Sequence, residues 1–185
     1  MKAGKKALAN INRIDEMIRD LLDATKIKAG KGLPIERENC DLSAIVNHAV
    51  QDLSSIHGSR FIMSLQEGIK GHWSCTGVRR IIENLCSNAI KYGNPDTPVS
   101  VTTETVNDQA MVYVHNQGPV IPLEKQALLF DPFMQAYGED STVKKGWGLG
   151  LTLVKGLAEA HGGTVEIQSH VDHGTTFKIC LPLGY

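Results

Sequence analysis

Two asparagines and a lysine are spaced to share one face of a helix in the middle of the chain. Within ENLCSNAIKYG, Asn84 and Asn88 are four residues apart, and Lys91 follows three residues later. Residues at this spacing lie on the same side of an α-helix. An amide oxygen can complete the shell of a hard cation beside phosphate oxygens, and a lysine can pair with those phosphates. The pattern fits a magnesium-bound polyphosphate, although by itself it fits a solvated polar face better.

Glycines alternate at the start of another expected helix, in GWGLGLTLVKGLAEAHGG (146–163). Glycine costs about 1 kcal/mol relative to alanine in a helix interior, so Gly146, Gly148 and Gly150 need a reason. Glycines at a helix start let backbone N–H groups approach an anion closely, and the helix N-terminus adds unpaired donors and a positive dipole end. The run predicts a phosphate-binding turn, while a flexible hinge explains the glycines alone equally well.

Three common nucleotide-binding motifs do not account for these glycines. A dinucleotide-binding GxGxxG motif would need a glycine where Leu151 stands and a strand before it, but the preceding EDSTVKK is polar. The P-loop pattern GxxxxGK(S/T) does not occur, nor do the HRD and DFG signatures of protein kinases.

The hydrophobic pattern predicts the elements that would position these residues. Helices are expected over 5–29, 41–58, 76–93, 123–130 and 149–161, and strands over 60–66, 99–106, 110–116, 164–170 and 175–183. Several connections between strands are hairpin-like, which favours a mixed sheet with helices on one face over a doubly wound parallel sheet. Residues 131–147 show no periodicity and form an expected long loop, a length typical of a functional lid or of disorder.

The first expected helix carries an apolar seam. Ile11, Ile14, Ile18 and Leu21 recur at the alternating three- and four-residue gaps of a helical bundle or coiled coil. An isolated helix of this length is marginal in water without tertiary contacts. The seam must therefore fold back on the rest of the chain, fray, or pair with a second copy, and we favour pairing because the spacing suits helix–helix packing.

Composition narrows the class of protein. The chain has 185 residues and a net charge of −1, which suits one domain with an appendage and disfavours nucleic-acid or anionic-membrane partners. The start lacks the apolar core of a signal peptide, and no apolar run approaches the roughly 18 residues that span a bilayer. The four cysteines are scattered without a CxxC pair. We therefore expect free thiols in a reducing cytosol rather than a disulfide or zinc framework.

Residues 80–183 resemble the catalytic ATP-binding domain of bacterial sensor histidine kinases, within the superfamily that includes gyrase, mismatch-repair and chaperone ATPases. Four boxes in the right order carry the resemblance. They are the asparagine box Asn84, Asn88, Lys91 and Tyr92, the phenylalanine box LFDPF (129–133), the glycine box GWGLGL (146–151) and the closing box Gly174, Thr175, Thr176 and Phe177. Residues 11–31 resemble the second helix of the family's dimerisation and phosphotransfer domain.

The resemblance implies an α+β fold, a two-layer α/β sandwich with a mixed sheet preceded by a long N-terminal helix. It implies a partial dimerisation and phosphotransfer helix over residues 1–31 and a catalytic domain over 32–185, with ATP bound under a mobile lid and Mg²⁺ held by Asn88. The implied ATP-binding residues are Asn84, Asn88, Lys91, Tyr92, Asn116, Gly118, Val120, Ile121, Phe133, Lys144, Lys145, Gly146, Gly148, Leu149, Gly150, Leu151 and Thr175. The two lid lysines have an equally good explanation as residues that keep the loop soluble.

Two departures from the family pattern stand out. The adenine box is usually Asp-x-Gly-x-Gly, but here it reads Asn116, Gln117, Gly118, Pro119 and Val120. An amide can still accept from adenine's amino group, but without charge assistance, and it can instead present its NH₂. In addition, none of the seven histidines lies in the His-Glu or His-Asp context of the family's phospho-acceptor. All seven are expected to be surface or turn residues.

The implied activity is transfer of the γ-phosphoryl of ATP to a histidine that this chain does not contain, so the chain is expected not to autophosphorylate. The implied partners are the acceptor helix of the intact kinase, a response-regulator receiver domain and a second copy bound through residues 11–25. A cytoplasmic location is expected, including as the cytoplasmic part of a longer membrane-bound sensor. A non-catalytic nucleotide-sensing scaffold is the main alternative. A gyrase-type hydrolase is disfavoured because Asn84, the one candidate here for a catalytic role, is not a general base.

Overall fold

The computed structural model describes residues 2–134 and 147–184, with side chains described from residue 14 onward except for residue 16. Five α-helices and seven β-strands occur in this part of the chain. In chain order they are α1 (Lys2–Lys28), β1 (Glu38–Asp41), α2 (Leu42–His57), β2 (Phe61–Leu65), β3 (Lys70–Trp73), α3 (Cys75–Tyr92), β4 (Val99–Val106), β5 (Gln109–Asn116), α4 (Leu123–Gln126), α5 (Gly150–Ala160), β6 (Thr164–His170) and β7 (Gly174–Pro182). A 3₁₀ turn over Ala127–Phe130 extends α4.

Five of the strands form a mixed sheet in the order β2-β4-β5-β7-β6. Strand β2 runs parallel to β4, and the other neighbours are antiparallel. Short turns join two of the three antiparallel pairs, β4 with β5 and β6 with β7. Asn107 and Asp108 both adopt left-handed backbone angles, with φ of 49° and 58°, between β4 and β5. Such turns match the right-handed twist of the strands. The expected mixed sheet is therefore confirmed.

Helices α2, α3 and α5 pack together with the sheet in one hydrophobic core. Alternate residues of the central strands, such as Val101, Val112 and Ile179, are fully buried in a cluster that includes Leu85 of α3 and Leu153 of α5. One apolar face on each element builds this arrangement, since strand residues two apart share a face of the sheet. The result is the expected two-layer α/β sandwich.

The start of α2 and the start of α3 are set by polar caps. Asp41 accepts a hydrogen bond from the backbone of Ala44, as its position before the apolar run predicts. Ser74 accepts from the backbone of Gly77 in the same way. Two strands were not expected from the sequence. The short segments β1 and β3 pair with each other outside the main sheet, and their four-residue ENCD and KGHW sequences carry no alternating apolar pattern.

The expectation of four free thiols is wrong. Cys40 of β1 and Cys75 at the start of α3 form a disulfide that closes a 35-residue separation, with their Cα atoms 5.7 Å apart. Cys86 and Cys180 are free. Burial is the main reason that the pKa of Cys86 rises to about 12, so this thiol stays protonated and unreactive. The antiparallel pairing of β1 with β3, which the sequence does not reveal, brings Cys40 beside the start of α3.

Helix α1 folds back along the rest of the chain. The Ile27 side chain occupies the space that a side chain at Gly156 of α5 would fill. Arg80 of α3 forms ion pairs with Asp20 and Asp23 of α1, at 2.9 and 3.1 Å. The helix nevertheless leaves Ile18 52% exposed, so part of its apolar seam is uncovered. Within the described ranges, no helix combines the length and apolar character needed to cross a bilayer.

Candidate active site

The asparagine helix and the glycine helix meet at Gly150. A Cβ added to Gly150 would lie 2.7 Å from Oδ1 of Asn84 and 4.0 Å from Nδ2 of Asn88. Asn84 is itself oriented by its Nδ2, which donates to the carbonyl of Arg80 at 2.8 Å. The absence of a side chain at position 150 thus allows two polar amides to lie directly against the first residue of α5. This contact brings together the two motifs that the sequence suggested for polyphosphate binding.

Gly148 joins the glycine box to the phenylalanine box. Its backbone has φ of +68°, and an added Cβ would lie 2.7 Å from the backbone carbon of Phe133 and 2.8 Å from the carbonyl oxygen of Met134. The carbonyl of Gly148 accepts a hydrogen bond from the N–H of Phe133 at 2.9 Å. Both the left-handed backbone and the close approach require glycine here. The turn that precedes α5 is therefore held against Phe133 and Met134, which follow the 3₁₀ turn.

At the other end of the site, Asn116 and Thr175 lie side by side on adjacent strands β5 and β7. Both are buried. Asn116 Nδ2 donates to the carbonyl of Gln117 at 3.2 Å, so Oδ1 and the second N–H of the amide are the groups left to contact a ligand. Thr175 Oγ1 lies 2.8 Å from Ser169 Oγ. The Ser169 hydroxyl in turn accepts a hydrogen bond from the N–H of Ile121. These hydroxyls and the Asn116 amide form a polar wall where the ends of β5, β6 and β7 adjoin.

A cavity of about 490 Å³ runs between these two ends. Its lining includes twelve of the residues expected to bind ATP, namely Asn84, Asn88, Lys91, Tyr92, Asn116, Ile121, Phe133, Gly148, Leu149, Gly150, Leu151 and Thr175. Gly118 and Val120 do not line it. Gly118 packs instead against the end of α3, where an added Cβ would lie 2.8 Å from the carbonyl oxygen of Tyr92. Lys144, Lys145 and Gly146 lie outside the described residues.

Sequence reasoning missed a large part of the lining. Ser87, Pro119, Leu129, Met134, Trp147 and Phe177 also line the cavity, as do Ile14, Met17, Ile18, Asp20 and Leu21 of α1. The residues from the first group lie within or next to the motifs, so the motifs themselves could have suggested them. Three of the α1 residues, Ile14, Ile18 and Leu21, belong to the apolar seam, and Met17 and Asp20 are their neighbours in the sequence. No local pattern shows that this seam reaches the cavity.

Lys91 is held beside the cavity by its neighbour Tyr92. Its Nζ donates to the Tyr92 hydroxyl at 2.7 Å and lies 4.4 Å from the ring centroid. A phenol and a ring face are attractive to a cation without neutralising it. Both contacts are to a neutral side chain, so neither neutralises the positive charge of Lys91. This charge is suited to an anion in the cavity.

Residues 75–185 match the family described as histidine kinase-, DNA gyrase B-, and HSP90-like ATPase. The chain belongs to this family. Its relatives include the circadian input-output histidine kinase CikA of Synechococcus elongatus, at 32% identity over 90% of this chain and 23% of CikA. The sensor protein CutS of Streptomyces coelicolor is 29% identical over 97% of this chain and 44% of CutS. The chain thus spans less than half the length of either relative.

Comparison of structures gives the same fold. The structure of ShkA in complex with AMPPNP aligns with a TM-score of 0.78 and 20% identity, over 93% of this chain and 36% of that one. The family match and the sensor-kinase relatives make this an ATP-binding domain of the kind found in sensor histidine kinases. The cavity between the asparagine helix, the glycine turn and the polar strand ends is the site at which the family motifs converge.

One histidine contradicts the expectation that all seven are surface or turn residues. His161 is 1% exposed, at the end of α5. Burial is the main reason that its pKa falls below 6.5, and the nearby positive charge of Arg37 adds to this effect. The imidazole is therefore neutral at pH 7. Its sequence context, AHGG, resembles a turn because two glycines follow, and nothing local indicates that the side chain points inward.

Proposed function

We propose that this chain is the ATP-binding and catalytic part of a protein histidine kinase of a two-component system. In this proposal residues 32–185 bind ATP, and residues 1–31 are part of a dimerisation and phosphotransfer domain. The γ-phosphoryl is transferred to a histidine outside residues 1–185. The observation that carries the proposal is the approach of Asn84 and Asn88 to Gly150, because it forms a polar cradle at the start of a helix, where phosphates are stabilised.

The residues at this cradle suit a magnesium-bound triphosphate. Asn88 offers an amide oxygen to Mg²⁺, Lys91 offers a positive charge to the phosphates, and the turn at Gly148 offers backbone N–H groups. Mg²⁺, when bound, would neutralise part of the phosphate charge. Phosphoryl transfer asks a protein mainly for such positioning and charge stabilisation. Lys144 and Lys145 remain candidates for closing over the phosphates, and Gly146 remains a candidate for the phosphate-binding turn with Gly148 and Gly150.

The opposite end of the cavity suits adenine. Oδ1 of Asn116 can accept from the exocyclic amino group, and Thr175 supplies a neighbouring hydroxyl. Ile121 and Leu129 provide apolar surface for the base. Gly118 contributes indirectly, because its lack of a side chain lets this strand end pack against Tyr92.

ATP hydrolysis of the gyrase type is less well supported. Such a reaction needs a general base near the γ-phosphate, and the amide of Asn84 cannot take a proton from water. The adjacent Glu83 is not among the described residues that line the cavity. Its carboxylate is instead paired with Arg79 at 2.6 Å.

The first experiment is calorimetric titration of the chain with ATP in the presence and absence of Mg²⁺. We expect binding that is tighter with Mg²⁺, and no labelling of the chain by γ-labelled ATP. Asn88→Ala should remove most of the Mg²⁺ dependence because it deletes the metal-binding amide. Asn47→Ala, on the remote helix α2, serves as a matched control. Unchanged Mg²⁺ dependence in Asn88→Ala would exclude that residue from the metal site, and acid-labile label on the chain would contradict the assignment of the acceptor.

A second experiment addresses the base. Asn116→Asp should raise the preference for ATP over GTP, because a carboxylate accepts only and repels the carbonyl oxygen of guanine, whereas an amide can present its NH₂. The measurement is the ratio of the two dissociation constants in each protein. If the hydrogen bond from Asn116 to Gln117 already fixes the amide with Oδ1 toward the base, the ratio will be equal in both proteins, and this prediction will be wrong.

We further propose that the intact kinase is cytoplasmic at this segment, receives signals from elsewhere in a longer protein, and passes its phosphoryl group to a response-regulator receiver domain. These proposals rest on the sensor-kinase relatives, of which this chain covers less than half. Homodimerisation through residues 11–25 is part of the same proposal. It is supported by the partial exposure of Ile14, Ile18 and Leu22 on α1, each above 50%.

Dimerisation predicts that the sedimentation coefficient rises with protein concentration. Replacing Ile14 and Ile18 together by Glu should abolish this rise, because charges would replace the apolar stripe. A control with Asp15→Lys and Arg19→Glu reverses an exposed ion pair on α1 and keeps the stripe. A wild-type chain that stays monomeric at high concentration would contradict dimerisation. It would favour a helix α1 whose apolar seam is covered only by its own chain.

A further inference from the structure

The helices α3 and α5 are joined at the end remote from the cavity by one side chain. His161 Nε2 accepts a hydrogen bond from the backbone N–H of Ser74 at 3.0 Å, and Nδ1 donates to the carbonyl of Leu157 at 2.7 Å. Ser74 caps the start of α3, and His161 caps the end of α5. The imidazole therefore connects the last turn of the glycine helix to the first residue before the asparagine helix.

The surroundings of the ring leave little freedom for another arrangement. A Cβ added to Gly77 would lie 3.1 Å from Cε1 of His161, so the glycine makes room for the ring in the first turn of α3. The N–H of Gly77 donates to the Ser74 hydroxyl at 3.2 Å. The ring, the cap and the first turn thus form one packed unit, and His161 fixes where that unit lies relative to α5.

We infer that His161 is a positioning residue for the nucleotide site: it holds α3 against α5 and so sets the approach of Asn84 and Asn88 to Gly150. The two contacts lie at opposite ends of the same helix pair. Ten residues of α-helix separate Ser74 from Asn84, which is about 15 Å at 1.5 Å per residue. Because a packed helix moves as a rigid element, a shift at the cap is transmitted to the amides at the cavity.

Protonation of His161 tests this role directly. Nε2 accepts from Ser74 only while it carries no proton, and in the imidazolium both ring nitrogens are donors. The charged group that acts on the ring is Arg37, whose guanidinium also donates to the carbonyl of Ala160 at 3.1 Å. The pKa of His161 is lowered in the folded protein, so the contact is complete above about pH 6.5 and is lost as the pH falls through the folded-state pKa.

The inference rests on the proposed nucleotide site, and its test compares three proteins by calorimetry with Mg-ATP from pH 7.5 down to the pH at which NMR shows the His161 ring of the wild type to be protonated. His161→Gln keeps an acceptor for Ser74 without a titrating group, and His161→Leu removes the acceptor. We expect the affinity of the wild type to fall about tenfold more than that of His161→Gln over this range, as for the loss of one buried hydrogen bond. Titration of the nucleotide itself is common to all three proteins and cancels. At pH 7.5 the Leu variant should bind about tenfold more weakly than the Gln variant.

Two results would overturn the inference. Parallel pH profiles of the wild type and His161→Gln would show that the ring does not act on the site, and equal affinities of the Gln and Leu variants would show that the acceptor is dispensable. Failure of the proposed function is recognised separately, by amide NMR spectra recorded without nucleotide. If no protein binds Mg-ATP, the amide signals of Asn84 and Gly150 should still move with the titration of His161 in the wild type and not in His161→Gln. Signals that do not move would refute the positioning role itself.

Discussion

Replacing Gly148 by alanine is expected to weaken Mg-ATP binding at least about thirtyfold. The left-handed backbone at this position, with φ of +68°, costs about 1–2 kcal/mol for a residue with a Cβ. The added atom would also meet backbone atoms of Phe133 and Met134 at 2.7–2.8 Å, and overpacking of this kind costs about 1–3 kcal/mol. Backbone atoms cannot swing aside like the end of a side chain. The turn must move, and a total of about 2–5 kcal/mol corresponds to a thirtyfold or larger change in an equilibrium constant.

The measurement is the dissociation constant by calorimetry together with the thermal midpoint of the free protein. If the added Cβ displaces the turn, the dissociation constant for Mg-ATP rises. Any strain that the folded protein keeps lowers its thermal midpoint. Gly32→Ala is the matched control, because no atom lies within 4 Å of its added Cβ and its φ is not in the left-handed range. Gly150→Ala should have a smaller effect than Gly148→Ala, since its added Cβ meets the movable amide of Asn84. A Gly148→Ala protein with both properties unchanged would refute the account of this turn.

The elements with a long, regular pattern are those that the sequence predicts well. Helix α3 was expected over 76–93 and runs over Cys75–Tyr92, because its apolar positions recur at helical spacing and Gly93 follows it. Strands β4 and β5 were expected over 99–106 and 110–116, and the structure joins them in a hairpin at Asn107 and Asp108. Strands β1 and β3 escaped prediction because four residues of mixed character hold no period, and their pairing depends on contacts distant in sequence.

The candidate site likewise contains residues that local sequence patterns indicate and residues that only tertiary contacts bring there. Asn84, Asn88 and Gly150 were expected to act together because a spacing on one helix and a run of glycines each have a chemical explanation. The structure places the amides of Asn84 and Asn88 near Gly150, and their joint role in binding stays a prediction. Asp20 and the apolar residues of α1 could not be assigned to the cavity, because the position of α1 depends on tertiary contacts such as the pairing of Arg80 with two aspartates. A sequence pattern reports which face of a helix is apolar and not what that face contacts.

The inward position of His161 has a comparable cause. Polar side chains are most often exposed, and the flanking glycines are typical of a turn. Burial becomes favourable only because the backbone of Ser74 supplies a donor and the carbonyl of Leu157 supplies an acceptor, so both ring nitrogens are satisfied. One of these two partners lies 87 residues away in sequence. The polar partners of a buried group therefore come from the fold rather than from its neighbours in the chain.

Reduction of the Cys40–Cys75 disulfide is expected to lower the free energy of unfolding by about 4 kcal/mol. The bond joins residues 35 apart, and a cross-link of this length removes conformational entropy from the unfolded chain, by about 3 kcal/mol for a 15-residue loop and about 4.7 kcal/mol for a 100-residue loop. For a protein of this size the thermal midpoint should fall by about 10 °C. The measurement is thermal unfolding of the non-reduced protein with and without dithiothreitol.

A double variant, Cys40→Ser with Cys75→Ser, separates the effect of the bond from other effects of the reductant. It should melt near the reduced wild type and should not respond to dithiothreitol, although Cys86 and Cys180 remain. Alkylation of the denatured, non-reduced wild type should label only these two free thiols, because unfolding exposes the buried Cys86. Labelling of all four cysteines, or equal midpoints for the oxidised wild type and the double variant, would show that the cross-link does not contribute to the fold. Cys75, one end of the disulfide, immediately follows Ser74. Loss of the bond should therefore also loosen the cap that His161 contacts. The reduced protein should then bind nucleotide more weakly, even under conditions where it remains folded.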